Sequence, residues 1–259
     1  MTRAATAALR IGCVKYLNAQ PLIHGWPGPV VFEHPTVICQ MLAGGDLDVA
    51  LVSSFEFLRN PIYSIVDGVA VAADGPVYSV FVAHAGTLDE LEEITLDPAS
   101  QTSANLLRCL LADRQSAAQL VTERGEEISP QRGRLLIGDQ AIRFRQQHES
   151  DYNFWDLGAE WKRTTSLPFV FAIWLIRPEV AGGEAMADLL RARRDANLAS
   201  LDEVVRAQRD FPAEFSLPYF RDFLRFDFAN AEKQGLLMFR TKCEKHGILP
   251  PNRAPLRLI

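Results

Sequence analysis

The residues best placed to do chemistry lie near the start of the chain. Residues 11–22 read Ile-Gly-Cys-Val-Lys-Tyr-Leu-Asn-Ala-Gln-Pro-Leu, an apolar run followed by a polar loop that carries Lys15, Tyr16 and Asn18. The run predicts a buried strand, and Pro21 suits a first helical turn, because its missing N–H would have no intrahelical partner there. A strand that leads straight into a helix leaves free backbone N–H groups, which together with the helix dipole suit a carboxylate or phosphate. The sequence therefore predicts an anion-binding loop here.

Serines stand at the ends of two further apolar runs. Ser53 and Ser54 directly follow the run 48–52, and Ser79 lies within the run 77–84, which is entered through Gly-Pro. A serine hydroxyl both donates and accepts hydrogen bonds, so all three are candidates for contact with a substrate oxygen. For Ser79 the alternative is a turn serine that bonds the local backbone.

A cluster of hydroxyls marks the start of another predicted helix. Ser100, Thr102 and Ser103 lie in the segment Asp-Pro-Ala-Ser-Gln-Thr-Ser that spans residues 97–103. Any one of them can serve as the N-cap, which is the common use of serine or threonine at that position. One cap needs one hydroxyl, so the surplus and the free backbone N–H groups also suit a carboxylate cradle.

Gly138 and Asp139 end the apolar run 135–137. Glycine permits close approach of the backbone to a ligand. Asp139 either caps the helix that follows or faces the ligand, and the residues alone favour the cap.

Other chemistries lack their sequence signatures. The five histidines show no metal-ligand spacing, and the four cysteines form no Cys-x-x-Cys pair. Neither a Gly-x-Gly-x-x-Gly nor a P-loop pattern occurs. The net charge of −5, without a basic run interleaved with aromatics, argues against a nucleic-acid partner.

The composition is that of an ordinary globular protein, with 259 residues of which 48% are hydrophobic and 23% charged. Residues 1–10 lack the apolar core of a signal peptide, and no apolar stretch reaches the roughly 18 residues needed to span a bilayer. Scattered cysteines are typical of a reducing compartment. We therefore expect a cytoplasmic protein without a membrane span. The sequence does not give its oligomeric state.

Repeated strand–loop–helix units predict an α/β architecture, and the pattern is mainly helical from Glu184 onward. In open α/β sheets the loops after the strands gather at one edge, where ligands bind. Apart from Ser79, which lies within a run, the candidate residues above follow or end predicted strands, so this edge is where we expect them to meet.

Five separated segments, in order, resemble the menaquinone-biosynthesis chorismate dehydratases, the first enzymes of the futalosine route. The resemblance covers about residues 9–176. The segments are Val-Lys-Tyr-Leu-Asn-Ala-Gln-Pro-Leu (14–22), Gly-Pro-Val-Tyr-Ser-Val (75–80), the hydroxyl cluster 97–103, Arg-Leu-Leu-Ile-Gly-Asp-Gln-Ala (134–141), and residues 156–161 with 167–174. One departure is Ser166, where family members usually carry glycine.

This resemblance implies a two-lobed type II periplasmic-binding-protein-like fold with a central ligand cleft. Lobe I would comprise residues 1–82 plus 177–259, and lobe II residues 86–171. The crossing segments would lie near 77–84 and 169–176.

The resemblance also implies the reaction, a hydro-lyase step that converts chorismate to 3-[(1-carboxyvinyl)oxy]benzoate and water without a metal or an organic cofactor. The partner is then this small-molecule substrate. Asn18 and Ser79 would be catalytic. Lys15 either adds a carboxylate contact or points to solvent. The expected substrate-binding residues are Lys15, Tyr16, Ser53, Ser54, Ser100, Thr102, Ser103, Gly138 and Asp139.

Three alternatives stay open. The first is a non-catalytic small-carboxylate-binding protein of the same fold, against which the absence of a signal peptide argues. The second is the later, naphthoate-forming sibling enzyme of the pathway, which begins with a different Pro/Asp-rich loop. The third is a small-molecule sensor domain.

Overall fold

The computed structural model describes residues 9–97, 101–122, 125 and 127–259. Two five-stranded sheets with helices packed around them make up this part of the chain. The strands are β1 Ile11–Val14, β2 Val30–Glu33, β3 Val49–Ser53, β4 Ser64–Ala73, β5 Val80–His84, β6 Glu93–Thr95, β7 Gln119–Val121, β8 Arg132–Ile137, β9 Asn153–Asp156 and β10 Phe169–Ile176. The helices are α1 Gln20–Ile23, α2 Pro35–Gly44, α3 Ser54–Arg59, α4 Gln101–Asp113, α5 Gly138–Gln147, α6 Leu157–Thr165, α7 Gly183–Ala199, α8 Leu201–Ala207, α9 Ala213–Pro218 and α10 Asn230–Lys245.

The first sheet has the order β2-β1-β3-β10-β4. Strand β1 runs parallel to β2 and β3, whereas β10 is antiparallel to both of its neighbours. Every residue of β1, β3 and β10 is buried, as their continuous apolar sequences predict for strands covered on both faces.

The second sheet has the order β7-β6-β8-β5-β9. Its strand β6 is parallel to β7 and β8, and β5 is antiparallel to β8 and β9. Each sheet is the centre of one lobe, so the predicted α/β architecture with two lobes is confirmed.

The chain passes from the first sheet to the second between Ala73 and Val80, and it returns between Thr165 and Phe169. The apolar runs 80–84 and 169–176 each pair within a single sheet along their whole length. We therefore propose 74–79 and 166–168 as the hinge segments, beside rather than within the strands that the sequence suggested.

Asp156 anchors the first hinge segment to the second lobe. Its carboxylate caps α6 by accepting the N–H of Ala159 at 3.0 Å, and it also accepts the N–H groups of Val77 and Tyr78. Tyr78 adopts a left-handed backbone conformation, with φ of 67°. The bonds from the Val77 and Tyr78 N–H groups hold this strained turn in place.

Ser166 stands at the second hinge segment and ends α6 in a left-handed conformation, with φ of 62°. Glycine adopts this conformation without steric strain, whereas serine does so at a cost.

Helix α4 belongs to the second lobe but packs against α3 and α10 of the first. Its leucines Leu106, Leu107 and Leu110 are buried, as their spacing predicts. The Sγ atoms of Cys109 and Cys243 lie 3.7 Å apart across the contact between α4 and α10. One hydrophobic core therefore runs through both lobes. No helix in the described ranges is long and apolar enough to cross a membrane.

Candidate functional site

Residues of both lobes line a small, partly open cavity of ≈ 60 Å³, which we call the inner chamber. Two helix starts, those of α4 and α5, and the short turn Leu17–Ala19 border it. The first backbone N–H groups of a helix have no intrahelical acceptor and favour a negative charge. The chamber's main polar lining consists of Asn18, Ser53, Gln101, Thr102, Ser103 and Gly138.

Thr102 joins the lobes at one side of the inner chamber. Its Oγ1 shares a short hydrogen bond with Ser53 Oγ of the first lobe and accepts the backbone N–H of Phe55 at 3.1 Å. Ser54 lies behind this pair, fully buried, and its hydroxyl donates to the carbonyl of Val170 at 2.7 Å. Ser54 therefore supports the chamber wall and is not among the residues that line it.

A larger cavity of ≈ 740 Å³, which we call the outer cavity, lies next to the inner chamber. The predicted residues Lys15, Tyr16 and Asp139 line it. Charged side chains of both signs complete its wall, namely Asp97, Arg134, Arg143 and Asp210.

Tyr16 lines both cavities and separates them. Its ring lies against Gly138, where an added Cβ would come within 2.9 Å of ring carbon atoms. Gly138 also has a positive φ of 62°. The close approach expected at this glycine is thus made by the tyrosine ring. Burial, with the nearby carboxylates Asp97 and Asp139, raises the pKa of Tyr16 and keeps the phenol neutral.

Asp139 reaches across to the other lobe. The residue lies within α5, and its Oδ1 accepts the backbone N–H of Leu17 at 2.8 Å. Burial raises its pKa to about 6, although the Leu17 N–H and the guanidinium of Arg143 act in the opposite direction. The sequence left two roles open for Asp139, a helix cap or a side chain that faces the cleft. The structure shows the second arrangement.

Ser79 is fully buried and lines neither cavity. Its hydroxyl lies 2.7 Å from the phenol oxygen of Tyr219, and its carbonyl accepts the N–H of Gly138 at 2.8 Å. Ser79 therefore lies behind Gly138, which lines the inner chamber, and does not itself reach the cavity. Tyr219 escaped the sequence analysis because nothing in the sequence links two residues that far apart.

The remaining predicted residues take different positions. Asn18 is half-buried and lines the inner chamber, whereas Lys15 is exposed at the outer cavity. Ser103 lies buried in the chamber wall. Ser100 lies outside the described residues.

The sequence analysis missed Gln101. It stands within the hydroxyl cluster and lines the inner chamber, and its Oε1 is buried without a hydrogen-bond partner among the described residues. Its position inside the cluster was the available signal.

The inner chamber offers hydroxyls, amides and backbone N–H groups. Within the described ranges, no group of three or more His, Cys, Asp or Glu side chains is arranged to hold a metal ion. Such a lining suits a ligand that carries carboxylates and is held by neutral donors.

Comparison with known proteins identifies the family. A family model described as menaquinone biosynthesis matches residues 9–245. This chain belongs to that family. A chorismate dehydratase from Thermus thermophilus is 32% identical to it over 220 residues, which make up 76% of this chain and 80% of the relative. The resemblance drawn from the five sequence segments is thereby confirmed.

Solved structures support the fold of this family member. Protein AF1704 from Archaeoglobus fulgidus superposes with a TM-score of 0.68 at 13% identity, covering 93% of this chain and 98% of that one. The periplasmic aliphatic sulphonate binding protein SsuA from Escherichia coli gives a TM-score of 0.62 at 13% identity, covering 95% of each chain. The expected periplasmic-binding-protein-like fold is confirmed.

Proposed function

We propose that this member of the menaquinone-biosynthesis family is a chorismate dehydratase that forms 3-[(1-carboxyvinyl)oxy]benzoate and water, as the first step of the futalosine route. The observation that carries the proposal is the inner chamber, which both lobes build and which is lined by hydroxyls and helix starts. The similarity to a chorismate dehydratase over 80% of that enzyme's length supports it.

The substrate explains why such a lining is sufficient. The hydrogen on ring carbon C3 is conjugated through a double bond to the C1 carboxylate, which acidifies it. Loss of the C3 proton and of the C4 hydroxyl gives an aromatic ring, and aromatisation drives the reaction. The protein needs to bind two carboxylates, align the hydroxyl and exclude water.

The chamber residues divide this work. Thr102, Ser103 and the first N–H groups of α4 bind one carboxylate, and Asn18 contacts the reacting ring. Ser79 acts as a positioning residue through the carbonyl that holds the N–H of Gly138.

The proton acceptor is the substrate's own enolpyruvyl carboxylate. No His or Glu side chain is among the described residues that line the inner chamber. A carboxylate held beside C3 takes the C3 proton and becomes a carboxylic acid. The C4–O bond then breaks with its electron pair on oxygen, and that oxygen leaves as water after it gains the proton from this carboxylic acid. The protein supplies only geometry and hydrogen bonds. No step in this scheme requires a metal or an organic cofactor.

The direct test is to incubate the purified protein with chorismate and follow the products by liquid chromatography and mass spectrometry. An aromatic product lighter by one water supports the proposal. Asn18→Ala should lower turnover at least about tenfold with an unchanged unfolding temperature. The matched control is Asn230→Ala, an exposed asparagine at the start of α10, which should retain full turnover.

Other outcomes point elsewhere. Chorismate that binds, seen as a thermal shift, but is recovered unchanged would indicate the non-catalytic carboxylate-binding protein. Neither binding nor turnover would indicate the sibling enzyme or another carboxylate ligand.

A further inference from the structure

The short turn that carries Asn18 has no cap of its own. Residues Leu17–Ala19 form a single 3₁₀ turn, and the preceding Tyr16 makes no side-chain cap hydrogen bond to it. The first N–H groups of a helical turn have no acceptor within the turn. So short a turn is also marginal by itself, because few backbone bonds offset the cost of ordering it. The position of Asn18 at the inner chamber therefore depends on contacts from outside the turn.

The second lobe supplies the missing cap. Asp139 Oδ1 accepts the N–H of Leu17 at 2.8 Å, although the two residues are 122 positions apart in the chain. The preceding residue, Gly138, lies against the ring of Tyr16, so closely that an added Cβ would come within 2.9 Å of ring carbon atoms. Two consecutive residues of α5 thus contact the two consecutive residues that precede Asn18.

Asp139 holds this turn without lining the inner chamber itself. Its side chain lines the outer cavity, whereas Asn18 lines the inner chamber. With a pKa of about 6, the carboxyl of Asp139 is mostly ionised at pH 7. A hydrogen bond from an N–H to a carboxylate is stronger than one to a neutral acceptor. The bond to Leu17 is therefore of the kind that can fix a short turn.

We propose that Asp139 is a positioning residue for the dehydration, which holds Asn18 at the reacting ring through the N–H of Leu17. This inference rests on the proposed dehydratase function. The turn belongs to the first lobe and Asp139 to the second, so the bond sets the place of Asn18 relative to the starts of α4 and α5. The carboxylate exchanges no proton with the substrate. Its effect on the rate comes from geometry, since a displacement of about 1 Å at a reacting group can cost about a hundredfold.

The test separates the acceptor from the charge. Asp139→Ala removes both, whereas Asp139→Asn removes the charge and keeps an oxygen that can accept the Leu17 N–H. Both substitutions are made in the wild-type protein, and Asp139→Ala is also combined with Asn18→Ala. The matched control is Asp210→Ala, which removes another carboxylate, an exposed one, from the wall of the outer cavity. For each protein we would measure kcat and KM with chorismate and the unfolding temperature.

Asp139→Ala should lower kcat at least about tenfold and change KM less than about threefold. Asp139→Asn should keep kcat within about threefold of the wild type. In the Asn18→Ala background, Asp139→Ala should lower kcat less than about twofold further, because a residue that acts through Asn18 then has nothing left to position. Asp210→Ala should keep the wild-type kcat.

Three results would overturn the inference and leave the dehydratase function in place. The first is an Asp139→Ala variant with wild-type kcat. The second is a pair of losses, from Asn18→Ala and Asp139→Ala, that multiply in the double variant, since the two residues then act independently. The third is a folded Asp139→Asn variant with at least about tenfold lower kcat, and this result decides even where Asp139→Ala does not fold. A wild-type protein that leaves chorismate unchanged would overturn the proposed function, and this inference with it.

Discussion

The backbone N–H of Leu17 donates a 2.8 Å hydrogen bond to Asp139 Oδ1, and the two residues belong to opposite lobes. A second bridge, between Ser53 and Thr102, lies at the inner chamber. Tyr16 and Gly138 pack between the bridges. The same residues that bound the site also hold the lobes together.

Asp139 should make stability depend on pH. Its pKa is raised by burial from 3.8 to about 6, with Arg143 opposing and Asp210 adding to the shift. Between about pH 4 and pH 6 the folded protein holds a proton that the unfolded chain has released, so the free energy of unfolding falls as the pH rises. The side chain in Asp139→Asn stays neutral, so this variant should not show the fall. The fall in the free energy of unfolding that it removes amounts to roughly 2–3 kcal/mol above pH 6.

Urea unfolding of both proteins from pH 4 to pH 8 measures the difference. Parallel profiles for wild type and Asp139→Asn would show that this carboxyl titrates normally.

Tyr219→Phe should destabilise the protein through Ser79. The substitution leaves the fully buried Ser79 hydroxyl without its 2.7 Å partner, which costs about 1–3 kcal/mol. Tyr63→Phe is the matched control, because the Tyr63 hydroxyl is also buried but accepts only a 3.3 Å bond from Asn60, which water can replace. Chemical denaturation should show the larger loss for Tyr219→Phe. Equal losses would mean that the bond to Ser79 has no special weight.

Gly235→Ala should disturb the second hinge segment. A Cβ at Gly235 in α10 would come within 2.1 Å of the carbonyl oxygen of Pro168, so backbone must shift. We expect a loss of about 1–3 kcal/mol or more. Gly44→Ala, in the last turn of α2, meets nothing nearer than 3.7 Å and should be neutral or stabilising by up to about 1 kcal/mol. Thermal unfolding of both variants measures the difference in stability. A Gly235→Ala variant as stable as the wild type would contradict the tight contact with Pro168.

Asp156→Ala should loosen the first hinge segment. It removes the acceptor of the N–H groups of Val77, Tyr78 and Ala159 together. Since hydrogen bonds to a carboxylate are the strong kind, we expect a loss of at least about 2 kcal/mol. The control is Asp151→Ala, whose carboxylate is 59% exposed and pairs with His148, with an expected change within about 0.5 kcal/mol. Faster hydrogen exchange over residues 75–80 of Asp156→Ala alone would locate the effect.

Local patterns predicted much of this arrangement. The apolar runs became buried strands, and the polar residues after them met at one edge, because strand ends of an α/β sheet gather there. Asn18, Ser53 and Thr102 come from three distant segments and line one chamber. Hydroxyl and amide residues next to apolar runs therefore indicated which residues would line this chamber, and their roles stay predictions.

Hydrogen bonds between residues far apart in the chain could not be predicted from the sequence. Ser79 and Tyr219 are 140 residues apart, and Leu17 and Asp139 are 122 apart, so no spacing rule relates them. The sequence also favoured Asp139 as a helix cap, since an aspartate at a helix start usually bonds its own backbone. The close packing of the lobes redirected that carboxylate to Leu17.

The position of β10 has a consequence for how the chain matures during synthesis. In the first sheet β10 lies between β3 and β4, although the whole second sheet separates it from them along the chain. Until residue 176 has left the ribosome, the facing edges of β3 and β4 have no partner strand. The second lobe can complete its own sheet earlier, since its five strands are consecutive. The inserted second lobe can therefore fold first. The first sheet is completed only after β10 has been synthesised.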